Sequence, residues 1–260
     1  MGRSLAPPHG GRKDLFRPIQ KGEVMFLDWE FMVSSFPKIL QAVPIALMIS
    51  VASLLLGFLI GFLLALCRTL HIPVLSGFAR FYVSFARGTP LLVNLYLVYF
   101  ALPVFVYSIG QSMGWNVNIN SINRYALAIT AFALNSAAYI SEIVRSSLSA
   151  INVGQLEACY SVGMTRGQAL YRVVMPQAMA IAMPNLSNHY ISLFKGTSLA
   201  YSVTVVEILG RAKVLASQGY TYLEAYIDVA VIYWVLCILF ENLFYLIEKR
   251  IKRFRAEIKV

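Results

Sequence analysis

Apolar residues in this chain come in long uninterrupted runs rather than at the spacings of soluble helices or strands. Residues 39–67, 91–109, 125–141 and 173–194 contain no Asp, Glu, Lys or Arg. A helix rises about 1.5 Å per residue, so crossing a hydrocarbon layer about 30 Å thick takes about 20 mostly apolar residues. The third run is a little short but extends past Glu142. A fifth run, 225–247, carries Asp228 and Glu241 near its two ends, where side chains can reach the interface. The pattern predicts an all-α, polytopic membrane protein with five transmembrane helices. Pro90 and Pro103 bracket the second span and are expected to start or bend it.

Composition agrees with this reading. The 260 residues are 58% hydrophobic and 13% charged, with mean hydropathy +0.67, whereas soluble domains run nearer a quarter charged. The net charge of +10 fits cytoplasmic flanks of membrane spans better than nucleic-acid binding, because no basic stripe is interleaved with exposed aromatics. Cys67, Cys159 and Cys237 are widely separated, so neither a disulfide framework nor a metal site is suggested; no cofactor is expected.

Charge also sets the expected topology. After the fifth span come Lys249, Arg250, Lys252, Arg253, Arg255 and Lys259, opposed by Glu248 and Glu257, which places the C-terminus in the cytoplasm. Arg68, Arg80 and Arg87 then fall in one cytoplasmic loop, and Arg145, Arg166 and Arg172 in another. The uncharged stretch 110–123 and the balanced stretch 195–228 face outside. An odd number of spans puts the N-terminus outside, which suits residues 1–24 poorly, since they carry Arg3, Arg12, Lys13, Arg17 and Lys21 without the apolar core of a secretory signal. Either a basic tail is translocated, or the physiological start is Met25, preceded by codons for Lys21-Gly22-Glu23 that can form a purine-rich run. The chain thus divides into an N-terminal tail and lead-in, 1–38, a transmembrane domain, 39–250, and a basic tail, 251–260.

Within the first span, Ser53, Gly57, Gly61 and Ala65 recur every four residues, a small-residue row for close helix packing in lipid. Such a row serves either the bundle itself or a dimer seam. Asn94, Asn135, Tyr139, Asn185, Asn188 and His189 lie at or near membrane depth, where unpaired polar groups cost several kcal/mol. They must face each other, a cavity or a partner. Glu142 and Lys195, at span edges, read either as functional charges or as interfacial anchors.

One interruption is too polar to span: GQLEACYSVGMTRGQALYRVVMPQA, residues 154–178. Asn152 and Gln155 have capping-box spacing, as do Thr165 and Gln168. The spacing predicts a helix over 153–162, about 15 Å long, closed by Gly163. A second helix should follow at once and end near Met175, before Pro176. By the charge topology the first helix is cytoplasmic, and its surface mixes Leu156, Tyr160 and Met164 with Gln155, Glu157 and Arg166. That composition suits insertion into a groove on another protein better than lying on lipid, which favours a basic polar face.

This stretch resembles the cytoplasmic coupling segment of permease subunits of binding-protein-dependent ABC importers, with their E-A-A, Gly six residues after the Glu, and hydrophobic-Pro pair. The chain supplies Glu157, Ala158, then Cys159 where Ala is usual, Gly163, and Met175-Pro176. FARGTPLLVNLYLVYFALP (residues 85–103), AYISEIVRSSLSAI (138–151) and NHYISLFKGTSLA (188–200) resemble the polar amino-acid subfamily, with Gly196 where many relatives have Asp. The resemblance implies a type I importer fold with a short coupling helix, in the bacterial cytoplasmic membrane. Implied partners are ABC ATPase subunits, a second permease subunit, identical or related, and an extracytoplasmic amino-acid-binding protein. It makes Gln155, Leu156, Glu157, Ala158, Cys159, Tyr160, Gly163, Met164 and Pro176 the ATPase-docking set, and Asn94, Tyr139, Asn188, His189, Lys195, Thr197 and Ser198 candidates for the substrate pathway. No G-x-x-x-x-G-K-[ST] phosphate loop is present, so ATP hydrolysis is expected on a partner chain and no catalytic residues here. The competing reading is a self-sufficient channel or secondary transporter using Glu142, His189 and Lys195 as an ion path. An intramembrane enzyme has no motif to support it.

Overall fold

The structure is a computed structural model that describes residues 27–115, 118 and 122–257; the question of residues 1–24 and Met25 lies outside them. The described residues form helices α1 (Trp29–Leu40), α2 (Val43–Thr69), α3 (Leu75–Gly88), α4 (Leu91–Ser112), α5 (Arg124–Ser149), α6 (Val153–Ser161), α7 (Arg166–Ala169), α8 (Met175–Gly196), α9 (Ile208–Ala216) and α10 (Tyr222–Glu257). A π-helical turn, Leu170–Val174, joins α7 to α8, and a 3₁₀ segment, Thr197–Val203, follows α8.

Four helices, α2, α4, α5 and the Tyr222–Ile251 part of α10, are long and apolar enough to cross a membrane. The remaining expected span is α8, as long as α4 but diluted by Asn185, Ser187, Asn188, His189 and Lys195. Its direction fits a crossing helix. Tyr190 stacks edge-on against Phe240 and Phe244, while Phe194 lies against Tyr233, so α8 and α10 are antiparallel. By contrast α2 and α5 run parallel, with Ser53 bonded to the Ile129 carbonyl and Arg68 paired with Glu142.

The hub of the bundle is α5, packed by α2, α3, α4 and α8. The small-residue row of α2 faces it: a Cβ on Gly57 would lie 2.8 Å from Ser136 Cβ, and one on Gly61 2.6 Å from the Ala137 carbonyl oxygen. The row therefore serves packing inside the subunit. Ile49, Leu95, Phe132, Leu193 and Val203 fill one core between these helices, and Ile39, Phe194, Ile208, Val229 and Ile232 a second one under α9 and α10.

Three expectations need correction. The first span does not begin at residue 39: α1 ends at Leu40 and α2 starts at Val43, with Pro44 in its first turn, where a missing N–H is tolerated. Asp228 does not reach the interface but is buried, accepting a 2.8 Å hydrogen bond from Ser35 Oγ of α1. And the helix after Thr165 does not stop before Pro176. A π turn, closed by Met175 N–H to the Leu170 carbonyl, shifts the register so that Pro176 falls in the first turn of α8.

Candidate functional site

The polar interruption folds as anticipated at its centre. Nine residues, Val153–Ser161, form α6. Gly163 takes φ +80°, and its N–H donates to the Tyr160 carbonyl at 3.0 Å while Met164 N–H donates to the Cys159 carbonyl at 3.0 Å. This paired closure is the Schellman motif, and it needs a left-handed residue at the bend. Two residues on, Thr165 and Gln168 form a reciprocal capping box, with Thr165 N–H to Gln168 Oε1 at 2.9 Å and Gln168 N–H to Thr165 Oγ1 at 3.3 Å.

The first capping box is only half made. Asn152 Oδ1 accepts from Gly154 N–H at 2.9 Å, but Gln155 Oε1 instead accepts from Gln177 Nε2 at 2.5 Å. The Gln155 side chain is thus spent on tying α6 to the first turn of α8. Cys159 is the buried residue of α6, which gives a reason for a small apolar side chain there. Leu156 and Met164 are half-buried, while Gln155, Glu157, Ala158, Tyr160, Gly163 and Pro176 are exposed. Val153, Val162, Leu170 and Tyr171 are further exposed apolar side chains of this segment. The result is a rigid, capped helix offering a mixed apolar and acidic face.

At the same end of the bundle, Glu142 holds three arginines. Arg68 reaches its Oε2 at 3.0 Å, Arg145 bonds its Oε1, and Arg87 approaches Oε2 at 3.8 Å. Arg68 also donates to Ser141 Oγ at 3.3 Å. The knot joins α2, α3 and α5, and Glu142 is compensated rather than free for ion relay. Arg87 was not singled out by the sequence, where it reads as one more flanking charge before Pro90.

The pathway candidates separate into two groups. Asn94 is buried, accepting from Thr89 Oγ1 at 2.7 Å and donating to the Ala86 carbonyl at 3.1 Å, while Asn135 donates to the same carbonyl at 3.3 Å. Thr197 is buried too, donating to the Phe194 carbonyl at 2.7 Å. These polar groups are satisfied inside the subunit. Tyr139, Asn188 and Lys195 are exposed, and His189 is half-buried. His189 Nε2 pairs with Ser136 Oγ at 2.8 Å, and its ring stacks on Tyr139 at 5.3 Å. Ser198 is half-buried and donates to the Lys195 carbonyl at 2.9 Å. Asn185, Asn188, Ser192 and Lys195 are all exposed and lie at helical spacing on one side of α8.

Sequence reasoning also passed over Glu207, counted only as a balancing charge. It is fully buried at the start of α9, accepting from Leu209 N–H at 3.1 Å, Gly210 N–H at 3.0 Å and Tyr233 Oη–H at 2.8 Å. Burial pushes its carboxyl above the ordinary glutamate range, against those hydrogen bonds. Gly196 is ordinary helix, and a Cβ there would come within 2.9 Å of Leu91 Cδ2.

Residues 57–253 match the family described as binding-protein-dependent transport system inner membrane component. The chain is 40% identical over 227 residues to the probable amino-acid permease protein YxeN of Bacillus subtilis (strain 168), covering 87% of this chain and 97% of that one. It is 37% identical over 228 residues to the L-cystine transport system permease protein TcyL of the same organism, covering 87% and 93%. A crystal structure of an amino acid ABC transporter with histidines is similar with TM-score 0.74 at 31% identity, over 87% of this chain and 100% of that chain. The chain belongs to the family of binding-protein-dependent transport system inner membrane components. Within it, this is a multi-pass membrane protein of the amino-acid ABC permease type.

Proposed function

We propose that this chain is the permease subunit of an ATP-driven importer, pairing with a second permease subunit to form the pathway for a polar amino acid delivered by an extracytoplasmic binding protein. Separate ATPase subunits grip α6 around Glu157 and supply the energy. The end of the bundle that holds Arg68, Arg87, Arg145, Arg166 and Arg172 is cytoplasmic, as is the C-terminus; the N-terminus is outside, in a bacterial cytoplasmic membrane.

The observation that carries this reading is α6 itself: a short helix with both ends capped, its apolar and acidic face exposed, and one side chain hydrogen-bonded to α8. A stiff helix transmits force, and the Gln155–Gln177 bond passes displacement of α6 to the helix that bears the polar stripe. That stripe, with Tyr139 and His189 beside it, would cost several kcal/mol per unpaired group if it faced lipid. A water-filled path shared with the second subunit satisfies it. In this reading Tyr139, Asn188, His189, Lys195 and Ser198 line the path, while Asn94 and Thr197 hold the bundle's shape.

Tagged permease co-expressed with its ATPase subunits tests the docking assignment. Glu157→Lys combined with Ala158→Arg should abolish co-purification while the permease still inserts and melts as the parent does. Undiminished co-purification would refute it.

A further inference from the structure

Three arginines meet one carboxylate at the Glu142 knot, so positive charge is in excess there. They are not equally occupied. Arg68 is 13% exposed and bonded to both Glu142 and Ser141; Arg145 directs two N–H groups at Glu142 Oε1. Arg87 makes no hydrogen bond among the described residues. Its contacts are the 3.8 Å approach to Glu142 Oε2 and the face of Tyr139, 5.6 Å from its guanidinium carbon, and its side chain is 43% exposed.

A guanidinium presents five N–H donors in a planar fork that matches a carboxylate. Here the fork is oriented by the Tyr139 ring, itself 38% exposed, and Tyr139 stacks on His189, whose chain neighbour Asn188 is exposed. The row Arg87, Tyr139, His189 joins the charged knot to the polar stripe of α8. From this geometry we infer that Arg87 binds the α-carboxylate of the transported amino acid on its passage between the α8 stripe and the cytoplasmic end. Glu142 repels that carboxylate, and Arg68 and Arg145 neutralise Glu142. The knot thereby leaves one cation available to the substrate without leaving Glu142 in opposition to it. The inference rests on the pathway reading above and adds the group that recognises the substrate's anionic end.

The test uses the assembled importer, permease with ATPase subunits, in detergent without binding protein. Thermal-shift titration with the common L-amino acids identifies one that binds, and the same titration with its α-carboxamide measures what the carboxylate contributes. Wild type should prefer the acid over the amide on the order of 10- to 100-fold, as expected for a charge-assisted bidentate contact. Arg87→Gln should bring that preference close to unity with amide binding unchanged, and Arg87→Lys should fall between. A purely structural role would weaken acid and amide alike. An unchanged acid-to-amide preference in folded Arg87→Gln overturns the inference. If Asn188→Ala and Tyr139→Ala weaken both ligands while that preference persists, the inference fails alone. If none of the three variants alters either ligand, or no amino acid binds wild type, the pathway reading fails with it. Arg87-dependent stabilisation by phosphatidylglycerol instead of amino acids also overturns the inference, assigning the fork to lipid headgroups.

Discussion

Gln177 Nε2 donates to Gln155 Oε1 at 2.5 Å, so the first turn of α8 holds the short helix that precedes it by two bends. The bond is exposed, so its worth to stability is about 1 kcal/mol at most. Its value lies in direction. In the proposed coupling, displacement of α6 is passed to α8, the helix that carries Asn188 and His189, rather than dissipated at Gly163. Gln177→Ala should lower uptake per ATP hydrolysed about two- to fivefold, the population shift that about 1 kcal/mol permits. Hydrolysis itself should persist. Coupled uptake and phosphate-release assays on the same vesicles measure the ratio.

Gly163 offers a purer test of backbone geometry, because a Cβ placed on it meets nothing within 4 Å and only its φ of +80° resists substitution. Gly163→Ala should cost about 1–2 kcal/mol in this conformation, and Gly163→Val more. Asn tolerates the left-handed region, so Gly163→Asn should keep most transport. The expected order of uptake is Gly, Asn, Ala, Val, with membrane insertion unchanged throughout. It is read from uptake into vesicles with binding protein outside and ATP inside, alongside immunoblots of the membrane fraction.

The contact between α2 and α5 leaves no room for growth. Gly61 sits where a Cβ would overlap a backbone carbonyl, whereas beside Gly57 the nearest atoms belong to the Ser136 side chain. Gly61→Val should destabilise the subunit by about 1–3 kcal/mol or more by forcing the helices apart. Gly57→Ala should destabilise as well, because Ser136 Cβ at 2.8 Å is fixed to the backbone and the Ala133 carbonyl lies at 3.0 Å, but by less than Gly61→Val, since it adds only a methyl group. Melting temperatures in one detergent rank the two.

Glu207 gives a pH dependence with a definite sign. Its folded pKa is raised above the ordinary value of 4.5 by burial, so the folded state holds the proton where the unfolded chain has released it. Stability from this group is therefore fully present below about pH 4.5 and declines as pH rises toward the raised folded value. Glu207→Gln removes the titration and should flatten the fall of melting temperature from mildly acidic to neutral pH, while keeping one oxygen as acceptor at the start of α9. An unchanged pH slope in the variant would contradict the assignment.

Much of this was legible in the sequence, because the signals were strong and local. Uninterrupted apolar runs mark α2, α4, α5 and α8, a run with a charge near each end marks α10, and a glycine at a helix end with a Thr–Gln pair beyond it marks the bend at 163 and the start of α7. Helices α1, α3 and α9 were not read, since their charged or short segments look like loops until a neighbour buries one face. Asp228 was taken for an interface group because nothing local shows that α1 folds over it and offers Ser35. The same limit applies to Arg87: its proximity to Glu142 and Tyr139 joins residues 52 or more positions apart, which chain spacing does not reveal. Gln155 had the spacing of one partnership and took another, with Gln177, because α8 returns beside it.

The central claim is that transport by this subunit is driven by a separate ATPase acting through α6. Its most direct measurement is uptake of the cognate radiolabelled amino acid into vesicles containing the permease alone, the permease with its ATPase subunits, and the full set with binding protein and ATP. The account predicts accumulation against a gradient in the full set only, abolished by Glu157→Lys with Ala158→Arg. Concentrative uptake by the permease alone, driven by an ion gradient, would contradict it.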